Sequence, residues 1–240
     1  MNFFASPTLL EQVQKCERCT YDQMAMKLKK PREIMASLPN GMDAGLKAYT
    51  DKFRGKLPPE LEALTPWVIH PDGKLIDRLR QWNGMKVSHV VSIPHKDMQI
   101  KQTLVVQGGI DELLQHPETG EVMLIDFKTK ATEPPLEYAK QYYQQTMETY
   151  AWMLTKLGYT VSTQAYLWYW WPVACGAKES WKFQQKRLPM TLDPSTTERL
   201  IEQLAHLLPA THAEIETKRP APAPDCEMCT FIEAKMLLGQ

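Results

Sequence analysis

The chain has 240 residues, with 28 Lys and Arg against 28 Asp and Glu, and 43% of it is hydrophobic. That fraction excludes a disordered chain and suits one large globular domain. With no apolar run of about 18 residues, a start (MNFFASPTLLEQVQK) unlike a secretory signal and zero net charge, the expectation is a cytoplasmic protein that neither spans a membrane nor coats nucleic acid nonspecifically.

Residues 7–30 read as one helix, with Ser6 as N-cap, Pro7 in the first turn and Pro31 as its stop. Met42, Leu46, Tyr49 and Phe53 recur at helical spacing and predict a second helix over Met42–Phe53. GKLPPELEALTPW reads as a Pro-punctuated loop. LIDRLRQW forms a helix or turn before the alternating strand Met85–Ile93, and PHKDMQIK turns into the next strands. Leu136, Ala139, Tyr143, Met147, Tyr150, Leu154 and Leu157 mark a long amphipathic helix that Gly158 ends. TQAYLWYWWPV is a β-prone run, and strand–helix–strand here implies a crossover onto one sheet. SWKFQQKRL is a further strand after a turn at Gly176. A last helix covers Thr197–Leu208, and TKRPAPAPD is a semi-rigid connector.

The chemistry concentrates between Gly108 and Lys130. VVQGGIDELL and VMLIDFKTK are two β-runs separated by the turn HPETGE. Paired antiparallel, they bring Asp111 and Asp126 side by side. Asp126 and Lys128, two residues apart, share a strand face while Phe127 points to the other. Two carboxylates with one ammonium suit a hard divalent cation such as Mg²⁺.

The spacing Gly-Ile-Asp, then fifteen residues to Asp-Phe-Lys, resembles the RecB-like branch of the PD-(D/E)XK nucleases. The resemblance implies an α/β fold, a mixed central β-sheet flanked by helices, as a single domain. Its core is about residues 85–190, with a helical region over residues 1–84 before it and a segment over residues 191–240 after it. It implies a deoxyribonuclease in which Asp111, Asp126 and the carbonyl of Phe127 hold Mg²⁺ or Mn²⁺ while Lys128 orients water. The product then carries a 5′-phosphate and a 3′-hydroxyl. Exonuclease or flap-type processing of single-stranded DNA or duplex ends is expected, with partners from DNA repair, recombination or CRISPR adaptation. Relatives place a Gln four residues before a Tyr on the long helix. Here Tyr150 matches, Thr146 holds the Gln position, and Gln144 and Gln145 lie nearby. No His precedes residue 70, so Asp43 is either the further metal ligand or a helix-start acid.

Cys16 and Cys19 form one C-x-x-C pair, and Cys226 and Cys229 another; such pairs read as metal ligands in a chain without a signal. They allow a Cys₄ Zn²⁺ site or an iron–sulfur cluster. Resemblance to the CRISPR-adaptation nucleases favours a 4Fe–4S cluster, although those divide their ligands one and three. Cys175 reads as core. YLWYWWP is either a buried strand or a stacking platform for bases. Four basic groups are either solvated faces or components of a nucleic-acid groove: Lys27, Lys29, Lys30 and Arg32; Lys52, Arg54 and Lys56; Arg78 and Arg80; Lys178, Lys182, Lys186 and Arg187. The alternative to the enzyme is a nucleic-acid-binding or assembly module, stapled by its cysteines, whose nuclease centre is weak or silent.

Overall fold

The structure is a computed structural model that describes residues 1–28, 37–173 and 182–237. Lys29, Lys30, Pro31, Arg32, Cys175, Gly176 and Lys178 lie outside the described residues. The chain opens with β1 (Asn2–Ala5), α1 (Pro7–Lys15), α2 (Glu17–Met24) and α3 (Ser37–Thr50). Then come β2 (Val68–Ile69), α4 (Gly73–Leu79), β3 (Met85–His95), β4 (Met98–Gly108), β5 (Glu112–Gln115) and β6 (Val122–Thr129). After α5 (Leu136–Lys156) follow β7 (Gln164–Val173), β8 (Lys182–Thr191), α6 (Ser195–Leu207), α7 (Glu214–Thr217) and α8 (Glu227–Leu237).

Two compact units divide these elements. One comprises Met1–Arg32, Lys86–Gln107 and Ser195–Gln240; the other comprises Glu33–Met85 and Gly108–Pro194. In the second unit a mixed five-stranded sheet runs β2-β5-β6-β7-β8. The β5–β6 and β7–β8 pairs are antiparallel and β6–β7 is parallel. Parallel neighbours cannot be joined by a tight turn, and the 21-residue α5 makes the crossover, as the strand–helix–strand pattern implies. Alternate residues Met123, Ile125 and Phe127 of β6 pack with Leu46 of α3 and with Leu61, Ile69, Leu114 and Trp168. Trp168 and Tyr169 are buried, so YLWYWWP is a core strand and not an open platform. The mixed sheet with helices against it is the expected fold class.

One buried charge cluster ties this unit together. Glu112, fully buried, receives Arg54 Nη1 and Nη2 at 2.8 Å each, Arg80 Nη2 at 3.0 Å and Thr50 Oγ1 at 3.1 Å. Arg80 also reaches Asp51 at 3.0 and 3.1 Å. Arg54 and Arg80, read from sequence as members of basic clusters, are therefore spent inside the protein, because a buried carboxylate needs paired donors.

The first unit holds the three-stranded sheet β1-β4-β3, in which β1 runs parallel to β4 from Asn2 opposite Thr103 to Ala5 opposite Val106. Tyr21 of α2 is buried and its hydroxyl donates to the carbonyl of Ile215 at 2.7 Å. Arg219 forks onto Asp22 at 2.7 and 2.6 Å.

Several boundaries differ from the sequence reading. The single helix over residues 7–30 is two, α1 and α2, because Cys16 takes an extended conformation (φ −161°, ψ 107°) between them. α3 starts at Ser37, earlier than Met42, and is followed by a 3-10 turn over Asp51–Phe53. The Pro-rich loop contains a 3-10 helix, Pro59–Leu64. PHKDMQIK is mostly strand, turning only around Lys96, whose φ is 51°. The motif run VVQGGIDELL is not one strand: β4 ends at Gly108 in one sheet and β5 begins at Glu112 in the other.

Replacing Glu112 by Gln leaves Arg54 and Arg80 to share the more exposed Asp51 as counter-charge, and breaking a buried pair from one side costs about 3–5 kcal/mol. Urea unfolding of Glu112→Gln is expected to show a loss of about 3 kcal/mol; a loss within measurement error would mean the cluster contributes nothing to stability.

Candidate functional site

In the β5–β6 register Glu112 lies opposite Ile125 and Leu113 opposite Leu124. Asp111 lies in the bend just before β5, with its carboxyl close enough to that of Asp126 to raise the latter's affinity for a proton. Asp111 is then fixed from three sides. Its Oδ2 accepts the Phe127 N–H at 2.8 Å, and its Oδ1 lies 2.9 Å from Lys47 Nζ. Its carbonyl accepts Arg80 Nε at 2.9 Å. Gly109, two residues earlier, runs against the backbone of Arg80 and Gln81, where a β-carbon would collide with their carbonyl oxygens. That close approach is the physical reason for glycine at this point of GGID.

Asp126 and Lys128 occupy one face of β6 and form an ion pair. The Lys128 ammonium also donates to the Phe127 carbonyl at 3.3 Å and stands 4.9 Å above the Tyr143 ring of α5. A pocket of about 300 Å³, lined by Asp43, Asp111, Phe127, Lys128 and Thr129 among others, opens on this group. Asp43 Oδ2 is 2.7 Å from Lys47 Nζ, so one ammonium bridges Asp43 and Asp111.

Burial pushes the Asp126 carboxyl up to about 6, the Lys128 charge opposes that, and the Asp111 carboxyl beside it adds to the rise. Burial works against the Lys128 charge, yet Asp126 and Asp111 hold its affinity for a proton above the ordinary lysine range. Lys128 is therefore an ammonium at neutral pH, able to donate but not to act as a base. Asp126 Oδ2 is buried and, apart from the ion pair, takes no hydrogen bond. A buried carboxylate oxygen met by a lysine alone, within a crowded pair of acids, is what a divalent cation would relieve, so these residues fit such an ion.

Of the expected site residues, Asp111, Asp126, Phe127 and Lys128 are together, and Asp43 lines the same pocket. Asp43 is not a helix-start acid, because α3 begins six residues before it. Gln144 is turned elsewhere: its amide donates to Glu148 and to the Thr191 carbonyl, each at 2.7 Å. Burial raises the Tyr150 hydroxyl's proton affinity, and the charge of Asp126 adds to it. Sequence reasoning passed over Lys47 and Tyr143. The signal for Lys47 was its position four residues after Asp43, where helical neighbours meet. Tyr143 counted only as a member of the apolar stripe.

The second group lies in the other unit. The thiols of Cys16, Cys19, Cys226 and Cys229 fall within 4.8 Å of one another. Measured pairs are 3.8 Å for Cys16–Cys229 and 3.5 Å for both Cys19–Cys226 and Cys19–Cys229. Cys16 caps the start of α2, which puts its sulfur and that of Cys19 on adjacent turns. Against burial, backbone donors of Ala223 and Cys19 bring Cys16 down to about 7, while burial drives Cys229 up to about 11. Four clustered thiols with one already acidified could hold a metal.

Asp126 binds its proton more tightly in the folded state than its ordinary value of 3.8 allows. Between about pH 4 and 6 the native state thus keeps a proton that the unfolded chain has lost, and Asp126's contribution to stability falls as pH rises. In EDTA, the melting temperature of wild type relative to Asp126→Asn is expected to drop across that window and level off above pH 7; a constant difference would mean that Asp126 titrates normally.

Comparison with known proteins bears on this geometry. A family model described as "PD-(D/E)XK nuclease superfamily" matches residues 8–234. No curated protein matches the chain. Among solved structures, one described as "Crystal structure of SSO0001" aligns with 91% of this chain and 78% of its own at 14% identity and a TM-score of 0.29; a likeness that low carries no argument. Among the described residues no helix is long and apolar enough to cross a membrane. The family match takes in both cysteine pairs and the acid–lysine group, and the chain belongs to the PD-(D/E)XK nuclease superfamily.

Proposed function

We propose that the chain hydrolyses DNA phosphodiester bonds at Asp111, Asp126 and Lys128 with Mg²⁺ or Mn²⁺ as cofactor. The observation that carries this reading is the Asp111 carboxylate, held by the Phe127 N–H next to Asp126, with the Lys128 ammonium paired to Asp126 beside an open pocket. Asp111, Asp126 and the Phe127 carbonyl would hold the ion, with Asp43 as an oxygen ligand from α3. A divalent ion bound there supplies Lewis acidity to the scissile phosphate and to water. Lys128, kept protonated by its acidic neighbours, orients the attacking water and offsets charge that develops on phosphate. Water oxygen bonds to phosphorus, the bond to the 3′-oxygen breaks, and that oxygen takes a proton, giving a 5′-phosphate and a 3′-hydroxyl.

Membership of the RecB-like branch, action on ends or flaps, and partners from DNA repair, recombination or CRISPR adaptation belong to the same proposal. Their support is the Gly-Ile-Asp to Asp-Phe-Lys spacing and the four-cysteine site; a cytoplasmic location is part of the same proposal. For the cysteines, the thiol spacing favours a single tetrahedral ion over the expected 4Fe–4S cluster. A Zn–S bond of about 2.3 Å gives thiolates about 3.8 Å apart; three of the pairs here are 3.5–3.8 Å apart and all four sulfurs lie within 4.8 Å. A cubane cluster gives each thiolate its own iron and so spreads them wider.

One observation favours a second reading, a nucleic-acid-binding or assembly module with a silent centre. Each carboxylate already faces an ammonium, Lys47 at Asp43 and Asp111 and Lys128 at Asp126, so an ion must displace or tolerate both.

Labelled single-stranded and duplex DNA with Mn²⁺ tests the hydrolase. Wild type is expected to cut and Lys128→Ala to lose at least about 100-fold in rate, the scale of removing one transition-state donor; no cutting with either divalent ion gives the silent module. Metal analysis of the purified chain is expected to return one zinc per chain in a colourless solution. A brown protein with about four irons per chain restores the cluster.

A further inference from the structure

Beside the acid–lysine pocket, and sharing Pro39 and Thr129 with it, is a larger cavity of about 560 Å³. Its walls are apolar: Leu38 and Met42 of α3, Pro172 of β7 and Phe183 of β8. Leu38 is 70% exposed and Phe183 43% exposed, so both leave large apolar surface open next to a polar centre. Among the described residues, the single charged group on the lining is Lys130, whose ammonium sits 3.4 Å from the centre of the Tyr138 ring. Lys130 continues the ladder of β6, its N–H donating to the Trp170 carbonyl at 3.1 Å. It lies two residues beyond Lys128, about 6.6 Å along the backbone at strand rise.

We propose that this cavity accepts an unstacked nucleobase next to the scissile phosphate, with the phosphate of that nucleotide at Lys130. The inference rests on the hydrolase reading for what lies in the adjoining pocket. Three features commit it to a base. The cavity is continuous with the phosphate site through Pro39 and Thr129. Its lining carries a cation, Lys130, that comes two residues after Lys128 in the chain. Its apolar walls, of a size that suits a small planar group, include one aromatic ring, Phe183, the kind of face on which proteins stack bases with little regard to sequence. An apolar side chain from a partner protein would use the walls but neither the shared border nor the cation.

The test compares an eight-residue thymidine strand with a strand of equal length made of abasic sugar–phosphate, by fluorescence anisotropy in EDTA so that nothing is cut. Wild type is expected to bind the thymidine strand about tenfold tighter, within the range that one base stack supplies. Leu38→Ala combined with Phe183→Ala should bring that ratio below about two, and Met42→Glu should do the same by placing charge on the wall. Melting curves on these variants check that they fold. Equal affinity of wild type for the two strands overturns the proposal and leaves the cavity to a peptide or a second copy; a ratio that survives all three substitutions overturns it too. Mn²⁺-dependent cutting, measured in parallel, keeps the readings apart. Cutting with equal affinities sinks the base slot and keeps the hydrolase, whereas a wall-dependent ratio without cutting keeps a base slot and sinks the hydrolase.

Discussion

The fully buried carboxylate of Glu112 ties together three segments of the five-stranded unit, through Thr50, Arg54 and Arg80. Its charge must be met inside the protein, and Arg54 and Arg80 meet it from segments far apart in sequence. Arg80 then has a nitrogen left for the Asp111 carbonyl, so the residue after the glycine turn is fixed by the same guanidinium that neutralises its neighbour. Through Thr50 the cluster also holds the end of α3, the helix that carries Asp43 and Lys47. The positions of the acid–lysine side chains thus depend on a group that never touches them.

Such an arrangement explains why the pocket can keep unfavourable charge. Asp126 is buried next to another acid, and folding makes it harder to ionise. A flexible loop would relax and separate the two carboxyls. Here Asp111 is pinned by the Phe127 N–H and by Arg80, and Asp126 sits mid-strand between β5 and β7. The strain stays in the electrostatics and is available to a cation.

The sequence exposed those features that repeat or that obey short-range rules. The 3.6-residue stripe located α5 within one residue, and the alternation of VMLIDFKT put Asp126 and Lys128 on one face. On sequence alone Asp111 belongs on a strand beside Asp126; it lies instead in the bend just before β5, held by the Phe127 N–H. What stayed hidden depends on contacts between distant residues. Arg54 and Arg80 look like solvated cations until Glu112 is seen beneath them. Cys16 breaks a helix that local propensity would continue, because its sulfur has partners more than two hundred residues away. β1 is four residues long and exists only through its pairing with β4. Lys47 and Tyr143 were visible as residue types, but nothing local distinguishes an ammonium that bridges two acids from one in water.

The pairing of Cys19 with Cys226 spans 207 residues. A ribosome adding about 5–20 residues per second needs about 10–40 s to make that stretch. Throughout that interval the first two thiols are in the cell without their partners, open to oxidation or to other metals. A site of all four sulfurs is therefore complete only late in the birth of the chain, after both halves of the sheet that bears Asp126 have been made.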